Sequence, residues 1–412
     1  ITQPLTAANV TNMQERIPFI RLICLNDTSN SENRHVVTQI RELQLFVTKK
    51  IFLLTLILSC SACQSVPYYQ QAISGHLKLM SSAEKINVVL ASDDESELLK
   101  EKLRQVQNIV RFSRERMALD DTIRFDRYVE VGSEYVTWVV YASPPYKMES
   151  KTWCYLFVGC APYRGFFDQQ DALEFADLLR EDGFDTYVAG VRAYSTLGWF
   201  KDPILSSMLN SDHLSLASLI FHESAHGRIW IKGDVAFNES FASFVAEQGL
   251  AQWLDKVGSQ GSKEQPLVPV SRKTDWTNLK DFLIVLRNEL RSIYTSVKLT
   301  SDEVGSLKSR KISGWLSCYE KNKNQLGRGK YDGLVYESLN NAFLMSLATY
   351  SDWIPSFRKI FEDSKGDWQR FYEEVEALGN LDKAERQNLL RSLAQHEVTS
   401  SSDYKSSTEI QC

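Results

Sequence analysis

Residues 222–226 read His-Glu-Ser-Ala-His, and this pentapeptide constrains the fold more than any other feature of the chain. On an α-helix, residues four apart lie one turn above one another, so His222 and His226 can offer two imidazoles to one metal ion. Glu223 then lies beside the metal on the same helix, where it can take a proton from a bound water. The pattern therefore predicts a helix that carries a metal site.

The flanking sequence also favours a helix at this position. An apolar run, residues 214–221, precedes the pentapeptide. Ser211 or Asp212 can cap the helix N-terminus, because either side chain can accept from free backbone N–H groups. Gly227 stands where glycine commonly ends a helix. Small residues surround the histidines on their helical face, so we expect this face to approach another element closely.

A second helix is predicted shortly after the first. Residues 229–236 have the composition of a short strand and a turn, and the helix is expected to begin near Asn238. Glu239 lies among small residues, so packing of the two helices would make it the third metal ligand. Glu247, two turns later, ranks second. We interpret Asn238 and Asp234 as hydrogen-bonding partners of the ligands or, equally, as turn and cap residues.

Two histidines and one carboxylate are typical of a hydrolytic zinc site with a fourth position for water. We therefore expect one Zn²⁺ per chain, held by His222, His226 and Glu239. Glu223 is the expected general base. An oxyanion formed during hydrolysis usually needs a second hydrogen-bond donor besides the metal.

The N-terminal region has the features of an export signal. Two lysines precede the apolar residues 51–58, which are too few to span a bilayer, and small residues lead to a cysteine. This pattern fits the lipobox of bacterial lipoproteins. It predicts a signal peptide over residues 47–63 with Cys63 as the lipid anchor; Cys60 is the alternative. An ordinary secretory signal with coincidental cysteines is the competing interpretation.

The expected regions are an N-terminal extension (residues 1–46, non-native or disordered), the signal peptide (47–63), one catalytic unit (64–398), which the resemblance described below makes a metallopeptidase unit, and a disordered tail (399–412). Gln64 is not the aspartate that signals retention at the inner membrane. We therefore expect an envelope protein anchored in the outer membrane and facing the periplasm. The formal net charge of −5 gives no electrostatic support for binding nucleic acid.

Export into an oxidising compartment would allow cysteines to pair. Cys154 and Cys160 flank five residues, a spacing compatible with a local disulfide in a loop or hairpin. Two buried thiols are equally compatible, because the pairing depends on geometry.

The periodicity of the chain predicts an α+β fold with a mainly helical C-terminal part. Predicted helices cover residues 83–116 (with a break around 92–94), 168–182, 276–296 and 334–396. Predicted strands cover residues 127–141, with a turn at Gly132-Ser133, and a strand pair over 184–200.

Taken together, these motifs resemble the zinc aminopeptidase family of proteobacterial envelope lipoproteins. The resemblance covers about residues 60–375. The segments that carry it are residues 67–72, 153–154, 158–167, 193–200, 202–203, 219–226, 237–242 and 340–342, with Tyr350. It implies a zincin-like (gluzincin) metallopeptidase fold, a cell-envelope location and a peptide or protein substrate.

The resemblance also suggests the oxyanion donor. Tyr350 follows the metal ligands in the chain, as an analogous tyrosine does in related aminopeptidases, and Tyr194 is the other candidate. Either tyrosine can instead be a core residue whose hydroxyl is satisfied.

The chain departs from gluzincin aminopeptidases upstream of the metal helix. Those enzymes carry a G-x-M-E-N segment whose glutamate holds the free amine of the substrate. The comparable segment here, residues 195–200, has no acid. Gly198 and Trp199 are expected to contact substrate as part of an edge strand that pairs with an extended peptide, or else to belong to an ordinary sheet strand.

The expected activity is therefore that of an aminopeptidase, and the first alternative is an endopeptidase acting on envelope proteins. The second alternative is a non-catalytic zinc-binding envelope lipoprotein. The intact Glu223 argues against that alternative, since a structural zinc site needs ligands but no base.

Overall fold

A computed structural model of the chain describes residues 49–50, 67–119, 124–155, 159–193, 202–259, 270–296 and 300–400. The chain divides into two compact units, Ile1–Tyr69 and Gln70–Cys412. Apart from a few residues, the predicted extension, signal peptide and C-terminal tail lie outside the described residues. None of the described helices is long and apolar enough to cross a membrane.

The structure is mixed α+β with small sheets, as predicted. The strands are β1 (Glu84–Lys85), β2 (Arg127–Val129), β3 (Thr137–Ser143), β4 (Trp153–Tyr155), β5 (Gly159–Ala161), β6 (Tyr163–Phe166), β7 (Asp185–Val191) and β8 (Ile204–Leu205). The helices begin with α1 over residues 67–81. They continue with α2 (Ile86–Ala91), α3 (Glu97–Met117), α4 (Gln169–Glu181), α5 (Ser206–Leu209), α6 (His213–Arg228), α7 (Val235–Ser259), α8 (Val270–Tyr294), α9 (Ser301–Asn322), α10 (Asp332–Ser338), α11 (Asn341–Ser351), α12 (Ile354–Asp363), α13 (Trp368–Gly379) and α14 (Lys383–Ser400).

The described strands form three small sheets, with the orders β1-β2-β8, β6-β3-β7 and β4-β5. In the second sheet, β3 pairs antiparallel with both neighbours. Tyr141 at its centre lies opposite Tyr163 on one side and Tyr187 on the other. Side chains at directly opposite positions share one face of a sheet, so the three tyrosines form a row.

One hydrophobic core surrounds α3, α6 and α7 and extends to α12, α13 and α14. The aromatic stripe of α7 lies within it: Phe237 and Phe241 contact Phe357, and Phe244 contacts Phe371. These aromatic residues are spaced at helical intervals, so they bury one face of α7 and leave another for α6.

A second core unites α8, α9, α10 and α11. Its centre is aromatic, with Trp315 stacked between Phe282 and Tyr319. Helix α11 packs against α8 and also against α7, β3 and β7. It therefore connects the second core to both the sheet and the long helix α7.

Most of the predicted elements are confirmed. Helices α2, α3 and α4 occupy predicted positions, and the predicted break in 83–116 lies between α2 and α3. The second strand predicted within 184–200 falls largely outside the described residues. Helix α9 was not predicted, because lysines and glycines interrupt its apolar pattern; its N-terminal signal is the capping box formed by Thr300 and Glu303.

The strand predicted within residues 229–236 is wrong. This segment forms an extended stretch and a turn at 232–233, and α7 already begins at Val235. A β-like composition of eight residues does not form a strand here, because the segment bonds to the start of α7 instead of to a neighbouring strand.

Candidate metal centre

Helix α6 presents the two histidines in its last turns. Its N-cap is Asp212, whose side chain accepts from the backbone N–H groups of Leu214 and Ser215. Of the two caps considered from the sequence, the structure therefore uses the aspartate. Ala225 is fully buried on the histidine side of α6, and Ala242 is fully buried on α7. These small side chains allow the two helices to pack closely.

The connection between α6 and α7 is held by side chains. Asn238 accepts from the backbone N–H of Ile231 and donates to its carbonyl oxygen, both at 2.8 Å. Asp234 is buried and pairs with Arg386 of α14 at 2.8 Å. Asn238 and Asp234 thus act as turn residues, and of the two interpretations of them the structure favours this one. They fix the distance and angle between the two helices.

Three metal-ligating side chains converge between α6 and α7. The Nε2 atoms of His222 and His226 lie 3.2 Å apart. Glu239 Oε2 lies 3.2 Å from the His222 Nε2 atom and 3.6 Å from that of His226. His226 and Glu239 are buried, and His222 keeps some exposure. Among the described residues, these three form the His, Cys, Asp and Glu group close enough to share a metal ion.

The charge state of Glu239 suits a metal ligand. Burial alone would raise its pKa, but the adjacent His226 and His222 outweigh burial and lower the pKa to about 2. In turn, Glu239 outweighs the effect of burial on His226 and raises the pKa of that imidazole. Glu239 therefore stays ionised at neutral pH, and a bound cation would act in the same direction.

Glu247, the second-ranked ligand candidate, lies elsewhere. Its carboxylate pairs with Arg358 at 3.1 Å, and both side chains are substantially exposed. The register of α7 explains the difference, because residues eight apart on a helix are displaced by about 12 Å along its axis.

Glu223 has a carboxylate oxygen that can accept a proton from water. Its Oε2 atom is buried and has no hydrogen-bond partner in the described part of the chain. Burial raises its pKa, which favours proton uptake, while the two histidines oppose this effect. A buried carboxylate oxygen without a partner is costly unless a ligand or water meets it. The atom is therefore available to a water molecule at the metal centre.

Arg124 supports the helix behind Glu223, a role that the sequence did not indicate. Its Nη1 donates to the backbone oxygen of Glu223 at 2.8 Å. Arg124 is itself buried and lies 3.8 Å from the buried Asp202 carboxylate. The ion pair offsets the cost of burying the guanidinium next to α6.

Of the predicted oxyanion donors, Tyr350 lies near the ligands. Its ring centroid is 6.2 Å from that of His222. The Tyr350 residue as a whole is 37% exposed. Tyr194, Gly198 and Trp199 lie outside the described residues.

Two further tyrosines, Tyr141 and Tyr163, belong to the same region and were missed in the sequence. Burial raises the pKa of both hydroxyls, and the charge of Glu239 adds to this effect. The charge of Glu223 also raises the pKa of the Tyr163 hydroxyl. Tyr163 lies in segment 158–167, one of those that carry the family resemblance, and that was the available signal. Tyr141 lies in an ordinary β-strand pattern without such a signal.

The structure joins Cys154 and Cys160 by a disulfide across the β4-β5 hairpin. This hairpin approaches the turn between α6 and α7 very closely. A Cβ atom on Gly159 would lie 2.8 Å from the backbone nitrogen of Gly233, and Gly159 has a φ of +83°. Both facts restrict position 159 to glycine. The β4-β5 hairpin therefore packs against the turn between α6 and α7, the turn that fixes the relative positions of the three candidate ligands.

The chain matches a known protein family. A family model described as "Putative aminopeptidase" matches residues 67–390, which include the whole candidate metal centre. No curated protein and no solved structure shows significant similarity to the chain.

Proposed function

The chain belongs to the aminopeptidase family whose model it matches over residues 67–390, and we propose that it is a zinc-dependent peptidase. Family membership supports a peptidase function. The observation that carries the zinc proposal is the triangle formed by His222, His226 and Glu239. Its edges are 3.2, 3.2 and 3.6 Å. Ligands about 2.1 Å from a tetrahedral zinc ion are about 3.4 Å apart, so the donor set fits one zinc ion per chain.

When bound, zinc lowers the pKa of its water to about 7 and polarises a carbonyl group. Glu223 accepts the proton of the attacking water at its unpartnered Oε2 and delivers that proton to the leaving amine. The raised pKa of Glu223 favours the first transfer without preventing the second. Glu223 is thus both the base and the acid of one hydrolysis.

Tyr350 supplies the second donor to the oxyanion. Burial and the surrounding charges hold the pKa of its hydroxyl well above the usual value, so the group keeps its proton at working pH. Because Tyr350 lies beside His222, this donor is on the side of the site where the metal would bind. A neutral hydroxyl fixed there can stabilise the negative charge that develops on the carbonyl oxygen. The ligands, the base and this donor form a complete set for peptide hydrolysis on a zincin-like fold.

Aminopeptidase action predicts a strict preference for a free substrate N-terminus. Zinc-loaded protein should cleave fluorogenic peptides with free N-termini and leave their acetylated counterparts intact, because an exopeptidase recognises the terminal amine. Release of the fluorophore from matched peptide pairs measures this preference, and chelator-treated protein is the control. Equal cleavage of both series would identify an endopeptidase. Zinc binding without cleavage of either would mean a non-catalytic protein.

We also propose that the protein works in the cell envelope, anchored at Cys63 in the outer membrane and facing the periplasm. The supports are the sequence of residues 47–63 and the Cys154–Cys160 disulfide, since disulfides are typical of exported proteins. Metabolic labelling with a radioactive fatty acid should mark the protein and its Cys60→Ala variant, but not Cys63→Ala. Label retained in Cys63→Ala would move the anchor elsewhere.

A further inference from the structure

Helix α1 packs on strand β6 and the first core through one row of residues. Gln71 donates from Nε2 to the carbonyl oxygen of Gly165 at 3.3 Å and accepts from the backbone N–H of Phe167 at 3.0 Å. One turn later, a Cβ atom at Gly75 would lie 2.3 Å from the Phe167 ring, so the absence of a side chain lets the helix approach this ring closely. Another turn on, Leu79 is buried in the first core. Contacts at three successive turns therefore hold α1 in one orientation.

The opposite face of α1 is apolar and exposed. Ile73 and Leu77 are 58% and 61% exposed. Each follows a residue of the packed row by two positions, which is a rotation of about 200° around an α-helix. Both side chains therefore point away from the protein, and because they lie four residues apart they form one apolar stripe. Single apolar side chains on a surface are ordinary, so the interpretation of this stripe depends on what surrounds it.

The sequence around the stripe suits an anionic phospholipid surface. Residues 64–83 contain no aspartate or glutamate, although the chain has 52 of them and a net charge of −5. Lys78, which follows Leu77, is exposed. Anionic lipids attract lysine side chains and repel carboxylates, so this stretch can approach a membrane more closely than the acidic remainder of the chain.

The predicted lipid anchor lies close to this face along the chain. Three residues separate Cys63 from Pro67, where α1 begins, and this connection spans at most about 14 Å even when fully extended. We propose that the face of α1 formed by Ile73, Leu77 and Lys78 is a membrane-binding surface, which lies in the headgroup region of the phospholipid leaflet that holds the acyl chains. The proposal rests on the anchor at Cys63 in the proposed function.

A second attachment changes how the protein lies on the membrane. Acyl chains limit the distance of the protein from the bilayer but leave it free to rotate. An apolar helix face adds a separate membrane signal, and stable anchoring generally takes two such signals. Because α1 is fixed on β6 and the first core, contact of its exposed face with lipid sets the orientation of the larger unit relative to the bilayer.

Photolabelling from within the bilayer tests the proposal. The full chain, processed by the cells that produce it, is reconstituted in vesicles of phosphatidylethanolamine and phosphatidylglycerol that contain a lipid-soluble diazirine. Illumination labels side chains in contact with the acyl region, and tandem mass spectrometry assigns the label to residues. Ile73 and Leu77 should carry about 10-fold more label than Leu98, because the apolar face of an interfacial helix reaches the acyl boundary.

Leu98 is the matched control. It is 69% exposed on α3, more than either residue of the stripe, but it follows the acidic segment 93–97. Ile73→Glu and Leu77→Glu should each lower the labelling of α1 several-fold, while Leu98→Glu should leave it unchanged, since a carboxylate in the stripe opposes contact with anionic lipid. The comparison within the wild type needs no substitution, so it does not depend on the folding of a variant.

The same spectra show whether Cys63 is acylated, so failure of the anchor and failure of the membrane-binding face are distinguishable. Acylated protein in which Ile73 and Leu77 carry no more label than Leu98 would overturn the proposal; a face covered by another protein would give this result. Strong label at Ile73 and Leu77 in vesicle-bound protein without the acyl group would refute the anchor and still support the face. Peptidase activity enters neither result.

Discussion

Replacing Glu223 with glutamine should slow peptide hydrolysis by about 10²- to 10⁴-fold, the usual contribution of a general base. The amide has the size of the carboxylate but cannot accept a proton from water. The three candidate ligands are other residues, so zinc content should not change. Steady-state kinetics on a free-N-terminus peptide, with metal analysis of the same preparation, measures both effects.

Glu247→Gln is the control for this substitution. Glu247 is also a glutamate of the two-helix unit, but it pairs with Arg358 at the surface. The control variant should keep normal kcat and zinc content. A Glu223→Gln protein with wild-type activity would contradict the general-base role, and a zinc-free Glu223→Gln protein would make Glu223 a ligand.

Replacing Glu239 with alanine should weaken zinc binding by more than about 100-fold, because even loss of a residue that merely supports a ligand costs 10- to 100-fold. Two imidazoles would remain without the carboxylate that neutralises the cation. Hydrolysis should fall with the metal. Competition against a chromophoric chelator measures the affinity, and Glu239→Gln, which preserves the packing, guards against loss of folding as the cause.

Glu247→Ala again provides the comparison, since it is the alternative third ligand in the sequence. Its zinc affinity should equal that of the wild type. If Glu239→Ala retained full zinc stoichiometry and affinity while Glu247→Ala lost them, the ligand triangle between α6 and α7 would not be the metal site.

The candidate site could be predicted from the sequence wherever its geometry is local. His222, Glu223 and His226 lie within one helical turn, so their spacing alone places them together. The prediction of Glu239 as the third ligand needed one further assumption, namely that α6 and α7 pack through their small-residue faces. The buried Ala225 and Ala242 meet that condition. The aromatic stripe of α7 was equally local and is found buried, as its period implies.

The remaining parts depend on contacts between distant segments. Tyr141 enters the site because β3 pairs with β6 and β7 and because α11 lies on that sheet. The period-two pattern of one strand shows which side chains share a face of the sheet, but it does not show which distant strand or helix packs against it. The false strand at 229–236 has a related cause, since Asn238 and Arg386 hold that region in a turn and Arg386 is remote in sequence. Composition alone cannot reveal a partner so far along the chain.

Contacts between neighbouring segments and contacts between distant segments should form at different stages of folding. The ligand triangle requires only one pair of consecutive helices, and His222 and Glu239 are 17 residues apart. The packing of α11, which carries Tyr350, against β3 must close a loop of about half the chain. Loop closure costs more entropy for longer loops, and non-local contacts form late in folding. A folding chain should therefore bring α6 and α7 together first and add α11 with Tyr350 last. Mild denaturant should therefore abolish peptide hydrolysis at a lower concentration than the one that separates His222, His226 and Glu239.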